Sequence, residues 1–211
     1  MVCGNCLVEG EKYICSACLA DFPFVENSLD AGKNLLEAFP PDFRPSRLYS
    51  LFYYNKYSDY RHLIYAVKYH SRKKLGIYLG RMLGECIPAD AGIDGIIPVP
   101  LHPRREKERG FNQAFQIALG IREVTGLEIY PDVLVRVKDN ASQTEKTTGG
   151  RRENVENIFK LHNPVKVTGK HILLVDDVIT TGATLGACML ALRKAENISF
   201  SFACVAQAAA V

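Results

Sequence analysis

Short apolar runs alternate along this chain with segments whose apolar residues recur every three or four positions. The clearest run is Ile172-Leu173-Leu174-Val175, which is short and rich in aliphatic residues and so predicts a strand buried on both faces. The residues after it recur at helical spacing, at Leu185, Cys188, Met189 and Leu192. The pattern over residues 171–192 therefore predicts a strand, a turn and a helix, which is the local unit of an α/β fold.

The same reading applied to the rest of the chain predicts further elements. Strands are predicted at 48–55, 96–97, 132–137, 155–161 and 200–206, with 207–211 as a short tail. Helices are predicted at 33–38, 60–69 and 75–87, and another begins after Asn112 and buries Phe115, Ala118, Ile121 and the stem of Arg122. Gly76, Gly80 and Gly84 share one face of the 75–87 helix, so we expect another element to pack closely there.

Length and composition limit the classes of protein to consider. The 211 residues suffice for one domain with a sizeable core plus an appendage. The net charge of +3 is too small to indicate nucleic-acid binding by itself. No apolar stretch reaches membrane-spanning length, and the first twelve residues lack the apolar core of a signal peptide. We therefore expect a cytoplasmic protein with no membrane contact.

Four cysteines near the N-terminus have the spacing of a metal site, C-x2-C-x8-C-x2-C: Cys3, Cys6, Cys15 and Cys18. Two thiolate pairs of this kind complete a tetrahedral sulfur site, the geometry that Zn²⁺ accepts. All four ligands are cysteines, so the site is predicted to be closed and structural. Iron in place of zinc stays open, and so does a set of reduced, metal-free or redox-active thiols.

Polar residues at the end of the 172–175 run predict a ligand site. Asp176 and Asp177 follow the strand directly, and small residues open the helix: Thr180, Thr181, Gly182, Ala183 and Thr184. Backbone N–H groups of such a turn and the helix N-terminus suit a phosphate. The two carboxylates suit hydroxyl groups, or a divalent cation such as Mg²⁺. The implied ligand carries a phosphate beside vicinal hydroxyls, as a ribose 5-phosphate group does.

Three other kinds of site share features of this turn. An ordinary strand–helix crossover with two solvated aspartates stays open. A receiver domain needs a phosphorylatable Asp after a later strand, and no Asp follows Asp177. A P-loop is excluded because the chain has no G-x-x-x-x-G-K-[ST] motif.

Two further segments are rich in arginine. After the strand at 96–97, a predicted loop carries four basic residues, Arg104, Arg105, Lys107 and Arg109, which suit a polyanion such as pyrophosphate. A solvated basic loop is the alternative. Residues 138–154 are polar and contain Gly149 and Gly150, which predicts a mobile loop whose Arg151 and Arg152 close over a bound anion.

These motifs resemble a known family. VDDVITTGAT resembles the phosphoribosyl pyrophosphate (PRPP) motif of type I phosphoribosyltransferases. Together with the four-Cys knuckle, PVPLHPRREKERGFNQA and ASQTEKTTGGRRENVENIF, it is similar to the ComF family of competence-related, phosphoribosyltransferase-like proteins. The resemblance covers nearly the whole chain except residues 21–47.

The resemblance implies a fold and a set of sites. The fold is a Rossmann-like parallel sheet with flanking helices, with a zinc knuckle at 1–20, a linker at 21–47 and the phosphoribosyltransferase-like domain at 48–211. Catalysis is assigned to Asp176, Asp177, Arg104 and Arg105, and phosphate binding to Thr180, Thr181, Gly182, Ala183 and Thr184. The flexible loop contributes Gln143, Arg151, Arg152 and Asn154.

Three functions are consistent with these motifs. The first is Mg²⁺-dependent transfer of the phosphoribosyl group from PRPP to a nitrogen acceptor. The second is PRPP or nucleotide sensing without turnover. The third is an adaptor in DNA uptake that binds a helicase or single-stranded DNA. The acceptor is not encoded in any motif that we recognise.

Overall fold

The computed structural model describes residues 2–4, 7–26, 32–55, 57–69, 72–138 and 158–208. The strands are β1 (Leu48–Tyr54), β2 (Gly95–Pro98), β3 (Leu134–Arg136), β4 (Phe159–Leu161), β5 (His171–Ile179) and β6 (Ser199–Ala208). The helices are α1 (Ser16–Ala20), α2 (Lys33–Glu37), α3 (Arg61–Tyr69), α4 (Lys73–Glu85), α5 (Pro103–Arg109), α6 (Gln113–Thr125) and α7 (Ala183–Leu192). Short 3₁₀ turns form at Pro41–Phe43 and Pro164–Lys166.

A four-stranded parallel sheet in the order β1-β6-β5-β2 forms the centre of the molecule. Strand β5 lies inside this sheet and has no exposed apolar side chain. Leu173 and Val175 pack into one core, and Ile172 and Leu174 pack into the other. An unbroken apolar run is therefore needed here, because both faces of the strand are covered. The α/β fold with a parallel sheet is confirmed.

Different elements cover the two faces of the sheet. Helices α3, α4 and α6 and the N-terminal cysteine segment share one hydrophobic core. Helices α2 and α7 and the antiparallel pair β3–β4 share the other. Such a three-layer arrangement leaves the carboxyl ends of the parallel strands as the edge at which ligands bind in α/β folds.

Helices α4 and α6 pack with their backbones almost in contact. A Cβ atom at Gly80 would collide with the carbonyl oxygen of Ile117, and one at Gly120 would collide with that of Ile77. The prediction that glycines spaced by four mark a close helix contact is confirmed. This contact fixes the start of α6, which carries polar residues of the candidate site.

The N-terminal segments pack against the sheet. Phe24 forms an antiparallel bridge with Phe52 of β1, and the Phe22 ring lies edge-on to the Phe52 ring at a centroid distance of 5.2 Å. The Tyr60 hydroxyl donates a hydrogen bond to the Cys18 carbonyl oxygen at 2.8 Å. The domain boundaries at residues 20 and 47 stay a prediction.

Several sequence-based boundaries need correction. Residues 103–109 form helix α5 rather than a loop, and Gly110 ends it with a φ of 80°. Strand β5 runs on through Asp176 and Asp177 to Ile179. Gln207 belongs to β6 and not to a tail, because it pairs with Tyr53 of β1 and Ile179 of β5. Its buried side chain accepts a hydrogen bond from Ser50 at 2.5 Å.

The buried face of α6 also differs from the prediction. Ile117 is fully buried together with Ala118 and Ile121, whereas Phe115 is half-buried and Arg122 is exposed. In the part of the chain that the structure describes, no helix has the length and hydrophobicity needed to cross a bilayer.

Replacing Gly80 by Ala is expected to lower the free energy of unfolding by about 1–3 kcal/mol, because the new methyl group meets backbone atoms of α6 that cannot move aside. Gly186→Ala in α7 is the matched control, since its nearest contact is the edge of the Phe39 ring at 3.3 Å. That variant should be neutral or more stable through helix propensity. Denaturant unfolding measures both, and equal effects would contradict the close contact.

Candidate functional site

Asp176 and Asp177 lie near the carboxyl end of β5, on opposite sides of the strand. Successive side chains alternate along a strand, so Asp176 shares the face of Leu174 and Asp177 shares the face of Val175. The backbone N–H of Asp177 donates to the Asp176 carboxylate at 2.9 Å. The two acids therefore border both hydrophobic layers while lining one cleft.

The surroundings of the Asp176 carboxyl disfavour its ionised form. Burial first, and the neighbouring charge of Asp177 second, raise its pKa to about 7. The positive charges of Lys68 and Arg136 act in the opposite direction. Asp176 therefore carries a proton for much of the time near neutral pH, whereas an aspartate in water is ionised there.

Basic side chains from three elements face these acids across a cleft of about 200 Å³. Lys68 comes from α3, Arg105 and Arg109 come from α5, and Arg136 comes from β3. The Lys68 ammonium lies 3.3 Å from the Asp177 carboxylate. The other lining residues are Val99, Leu101, Asn112, Gln113, Ala114, Val178 and Thr184.

The start of α6 supplies two amides to the cleft. Asn112 caps the helix, because its side-chain oxygen accepts from the Ala114 N–H at 3.0 Å. Arg109 donates to the Gln113 side-chain oxygen at 3.0 Å, which turns the other end of that amide away from Arg109. Within the described residues the Gln113 amide nitrogen is buried without a hydrogen-bond partner. A ligand oxygen in the cleft would satisfy it.

The structure separates Arg104 from Arg105. Arg105 lines the cleft, whereas Arg104 is 72% exposed and pairs with Glu108 at 3.0 Å. Because the segment is a helix, neighbouring residues point about 100° apart. Lys68, Arg136 and Gln113 are cleft residues that the sequence reasoning missed. Of these three residues, only Gln113 lies in a motif, RGFNQ, from which the sequence could have indicated a role in the site.

The predicted phosphate loop lies at the N-terminus of α7. Gly182 adopts a left-handed φ of 73°, and the Ala183 N–H points to the Thr181 hydroxyl at 3.4 Å. Thr184 lines the acidic cleft. Thr181, Gly182 and Ala183 instead line a second, more apolar cavity of about 420 Å³ beside Phe39 and Phe43. Thr180 is exposed.

The flexible-loop residues of the prediction lie outside the described residues: Gln143, Arg151, Arg152 and Asn154. Strands β3 and β4 flank that segment on either side. Arg136, at the end of β3, lines the cleft.

Three of the four predicted metal ligands converge. The sulfur atoms of Cys3, Cys15 and Cys18 all lie within 4.8 Å of one another, and those of Cys3 and Cys15 are 3.6 Å apart. Tetrahedral Zn²⁺ with Zn–S bonds of about 2.3 Å needs sulfur atoms about 3.8 Å apart. Cys6 lies outside the described residues. The donor set fits a structural metal ion, and its identity as zinc stays a prediction.

Without a metal ion, the close packing of these thiols disfavours the ionised, thiolate form of Cys18. Burial, followed by the neighbouring thiols of Cys15 and Cys3, raises the pKa of Cys18 to about 11. A bound cation would offset this by favouring the thiolate form.

Elemental analysis of the purified protein should give about one zinc ion per chain. Cys18→Ser should lose the metal and lower the thermal midpoint, because a ligand is removed at the contact between α1 and Tyr60, just before α3. Cys86→Ser is the control, since Cys86 lies outside the thiol cluster. A metal-free protein with an ordered N-terminal segment would refute the site.

Asp176→Asn should stabilise the protein at alkaline pH. The ordinary Asp pKa is about 3.9, and the folded value is about 7. Between these values the folded state keeps a proton that the unfolded state has lost. The stability contributed by this group is therefore complete below about pH 4 and declines as pH rises towards 7.

The variant should consequently exceed wild type by roughly 1–3 kcal/mol at pH 8 and lose that advantage near pH 4. Denaturant unfolding at the two pH values measures the difference, with the exposed Asp90→Asn as control. A difference that does not change with pH would contradict the raised pKa.

Comparisons with known proteins identify a family model and similar solved structures. Residues 117–210 match the model of the phosphoribosyl transferase domain family. Glutamine PRPP amidotransferase from B. subtilis, solved with ADP and GMP, matches 65% of this chain and 30% of its own, at 20% identity and a TM-score of 0.43.

Sequence relatives cover most of the chain. DNA utilization protein YhgH of Salmonella typhimurium is 31% identical over 196 residues, which are 87% of this chain and 80% of the relative. Competence protein F of Haemophilus influenzae is 35% identical over 48% of this chain and 44% of its own. Competence protein ComFC of Bacillus subtilis is 36% identical over 107 residues, which are 49% of this chain and 41% of the relative. The chain belongs to the ComF family of phosphoribosyltransferase-like proteins.

Proposed function

We propose that this chain binds PRPP in the cleft of Asp176 and Asp177 and transfers its phosphoribosyl group to a nitrogen acceptor. The observation that carries the proposal is the pairing of two acids with four basic side chains beside the N-terminus of α7. PRPP has the matching chemistry, with vicinal hydroxyls between a phosphate and a pyrophosphate.

Each part of the ligand has a complementary group in this proposal. The 5-phosphate binds the turn of Thr180 to Thr184 at the N-terminus of α7, whose residue Thr184 lines the acidic cleft. The ribose hydroxyls donate to Asp176 and Asp177. The pyrophosphate pairs with Arg105 and Arg109, because guanidinium groups bind phosphate oxygens bidentately. Arg104 is directed to solvent and takes no part unless its helix rotates.

The proposed reaction breaks the bond between the ribose C1 and the pyrophosphate oxygen and forms a bond from C1 to the acceptor nitrogen. The bonding electrons leave with pyrophosphate, and the acceptor nitrogen loses a proton. Arginines that face the departing oxygens stabilise the charge that develops there. Mg²⁺ enters the proposal only as a counter-ion carried by the pyrophosphate itself.

A non-catalytic sensor of PRPP or a nucleotide would use the same groups, so only turnover separates it from an enzyme. The experiment is calorimetry with PRPP and Mg²⁺, followed by a screen of nucleobases and amines for pyrophosphate release. Tight PRPP binding without release from any acceptor would favour the sensor.

A DNA-uptake adaptor is the second candidate function, and the names of the competence and DNA utilization relatives support it. One surface of α3 favours it as well. The exposed rings of Tyr65 and Tyr69 stack at 5.9 Å, and the Arg109 guanidinium lies 5.5 Å from the Tyr69 ring centroid. Stacked aromatics beside cations suit single-stranded DNA, and a helicase is the proposed protein partner. This function predicts salt-dependent DNA binding that is indifferent to PRPP.

At pH 8, above the pKa of about 7 of Asp176, both acids are ionised and the double variant Asp176→Asn and Asp177→Asn should lose PRPP affinity by orders of magnitude. Each lost charge-assisted hydrogen bond costs roughly 1.5–3 kcal/mol. Sulfate binding at Thr180 to Thr184 should survive, since it depends on backbone N–H groups. Titration of wild type and variant with both ligands measures this.

The control for the loss of two charges is Asp90→Asn with Glu196→Gln, two exposed acids outside the cleft. If the double variant binds PRPP as tightly as wild type, the ribose is held elsewhere.

A further inference from the structure

Lys68 lies beside the two acids of the cleft. Its ammonium lies 3.3 Å from the Asp177 carboxylate, and the two side chains are only 26% and 11% exposed. Helix α3 is anchored by the buried residues Leu63, Ile64 and Val67, so the backbone of Lys68 is fixed relative to the sheet. The ion pair is therefore a built feature of the cleft and not a chance contact of two mobile surface chains.

The acids themselves do not fit a Mg²⁺ ion. Mg²⁺ demands a near-ideal octahedron of oxygen ligands and gives up its water reluctantly. One oxygen of Asp177 is paired with Lys68, and one oxygen of Asp176 accepts the Asp177 N–H at 2.9 Å. Arg105, Arg109 and Arg136 line the same small cleft and add positive charge that repels a divalent ion.

We propose that the Lys68 ammonium takes the place of a protein-bound divalent cation, so that a phosphoribosyl ligand binds this cleft without Mg²⁺. The inference rests on the proposed function. A ribose hydroxyl that enters beside the ion pair donates a hydrogen bond to Asp177 and accepts a hydrogen bond from Lys68. The lysine thereby supplies the positive charge that orients the hydroxyl oxygen, and it is a positioning residue for the ligand.

A purely structural ion pair between α3 and β5 is the competing explanation. It predicts that loss of Lys68 changes stability but leaves the metal dependence of ligand binding unaltered. The relevant readout is therefore affinity with and without Mg²⁺, together with a thermal melt of each variant.

The experiment titrates ribose 5-phosphate and PRPP into wild type in EDTA and in excess Mg²⁺. Ribose 5-phosphate isolates the acids because it lacks the pyrophosphate that would carry Mg²⁺ into the site. Wild type should bind ribose 5-phosphate equally well in both buffers. Lys68→Met should lose about tenfold or more in EDTA, the size of one charged hydrogen bond, and regain part of that affinity with Mg²⁺.

Two further variants sharpen the test. Lys107→Met removes the same charge from the exposed face of the neighbouring α5 and should bind as wild type does. Lys68→Gln keeps the length of the side chain and a hydrogen-bond donor, and it replaces Lys68→Met if that variant does not fold. Lys68→Gln should also bind ribose 5-phosphate more weakly in EDTA than in Mg²⁺, but by a smaller factor than Lys68→Met.

The outcomes separate the two proposals. Wild type that binds PRPP only with Mg²⁺ overturns the role of Lys68 and leaves the proposed function standing. Lys68 variants with wild-type affinity in EDTA also overturn it and identify the ion pair as structural. A folded wild type that binds neither ligand in either buffer overturns both.

Discussion

Two adjacent carboxylates in an almost fully covered strand are the constraint around which the rest of the site is arranged. Moving an ionised carboxylate out of water costs free energy, and a second carboxylate beside it increases that cost. The protein offsets it with cations from separate elements, Lys68 on α3, Arg105 and Arg109 on α5, and Arg136 on β3. The cost persists in part, as the raised pKa of Asp176 shows. Perturbed pKa values of this kind cluster at functional sites.

The positions of these cations depend on packing far from the acids. Helix α6 begins at the cleft because its middle is locked against α4, where Gly80 and Gly120 allow the backbones to touch. Helix α3 presents Lys68 because its apolar side is embedded in the same hydrophobic core. The N-terminal cysteine segment closes that core from outside, through Phe22 and Tyr60. Metal binding at the cysteines would therefore stabilise the layer that holds Lys68.

Much of this arrangement could be predicted from the sequence because it is local. The apolar run of β5, the spacing of Leu185 and Met189 in α7, and the cap at Asn112 all follow from short-range patterns. The partnership of Lys68 with Asp177 could not be predicted, because it joins residues far apart in the chain through tertiary packing. Arg105 rather than Arg104 lines the cleft because of how α5 is rotated, and the sequence predicts a loop at this segment. Gln207 resembled a tail residue because its buried partner, Ser50, lies on a distant strand.

The pleat of β5 places one acid towards each of the two hydrophobic layers. Asp177 faces the layer of α3, α4 and α6, and Asp176 faces the layer of α7 and β3–β4. A molecule that hydrogen-bonds both carboxylates would be fastened to both layers at once. Any local opening that separates either layer from the strand would then have to break a bond to that molecule. A ligand in the cleft would thus couple the local opening of the two layers. Ligand binding would then slow amide hydrogen exchange in both layers, although the ligand contacts only the cleft.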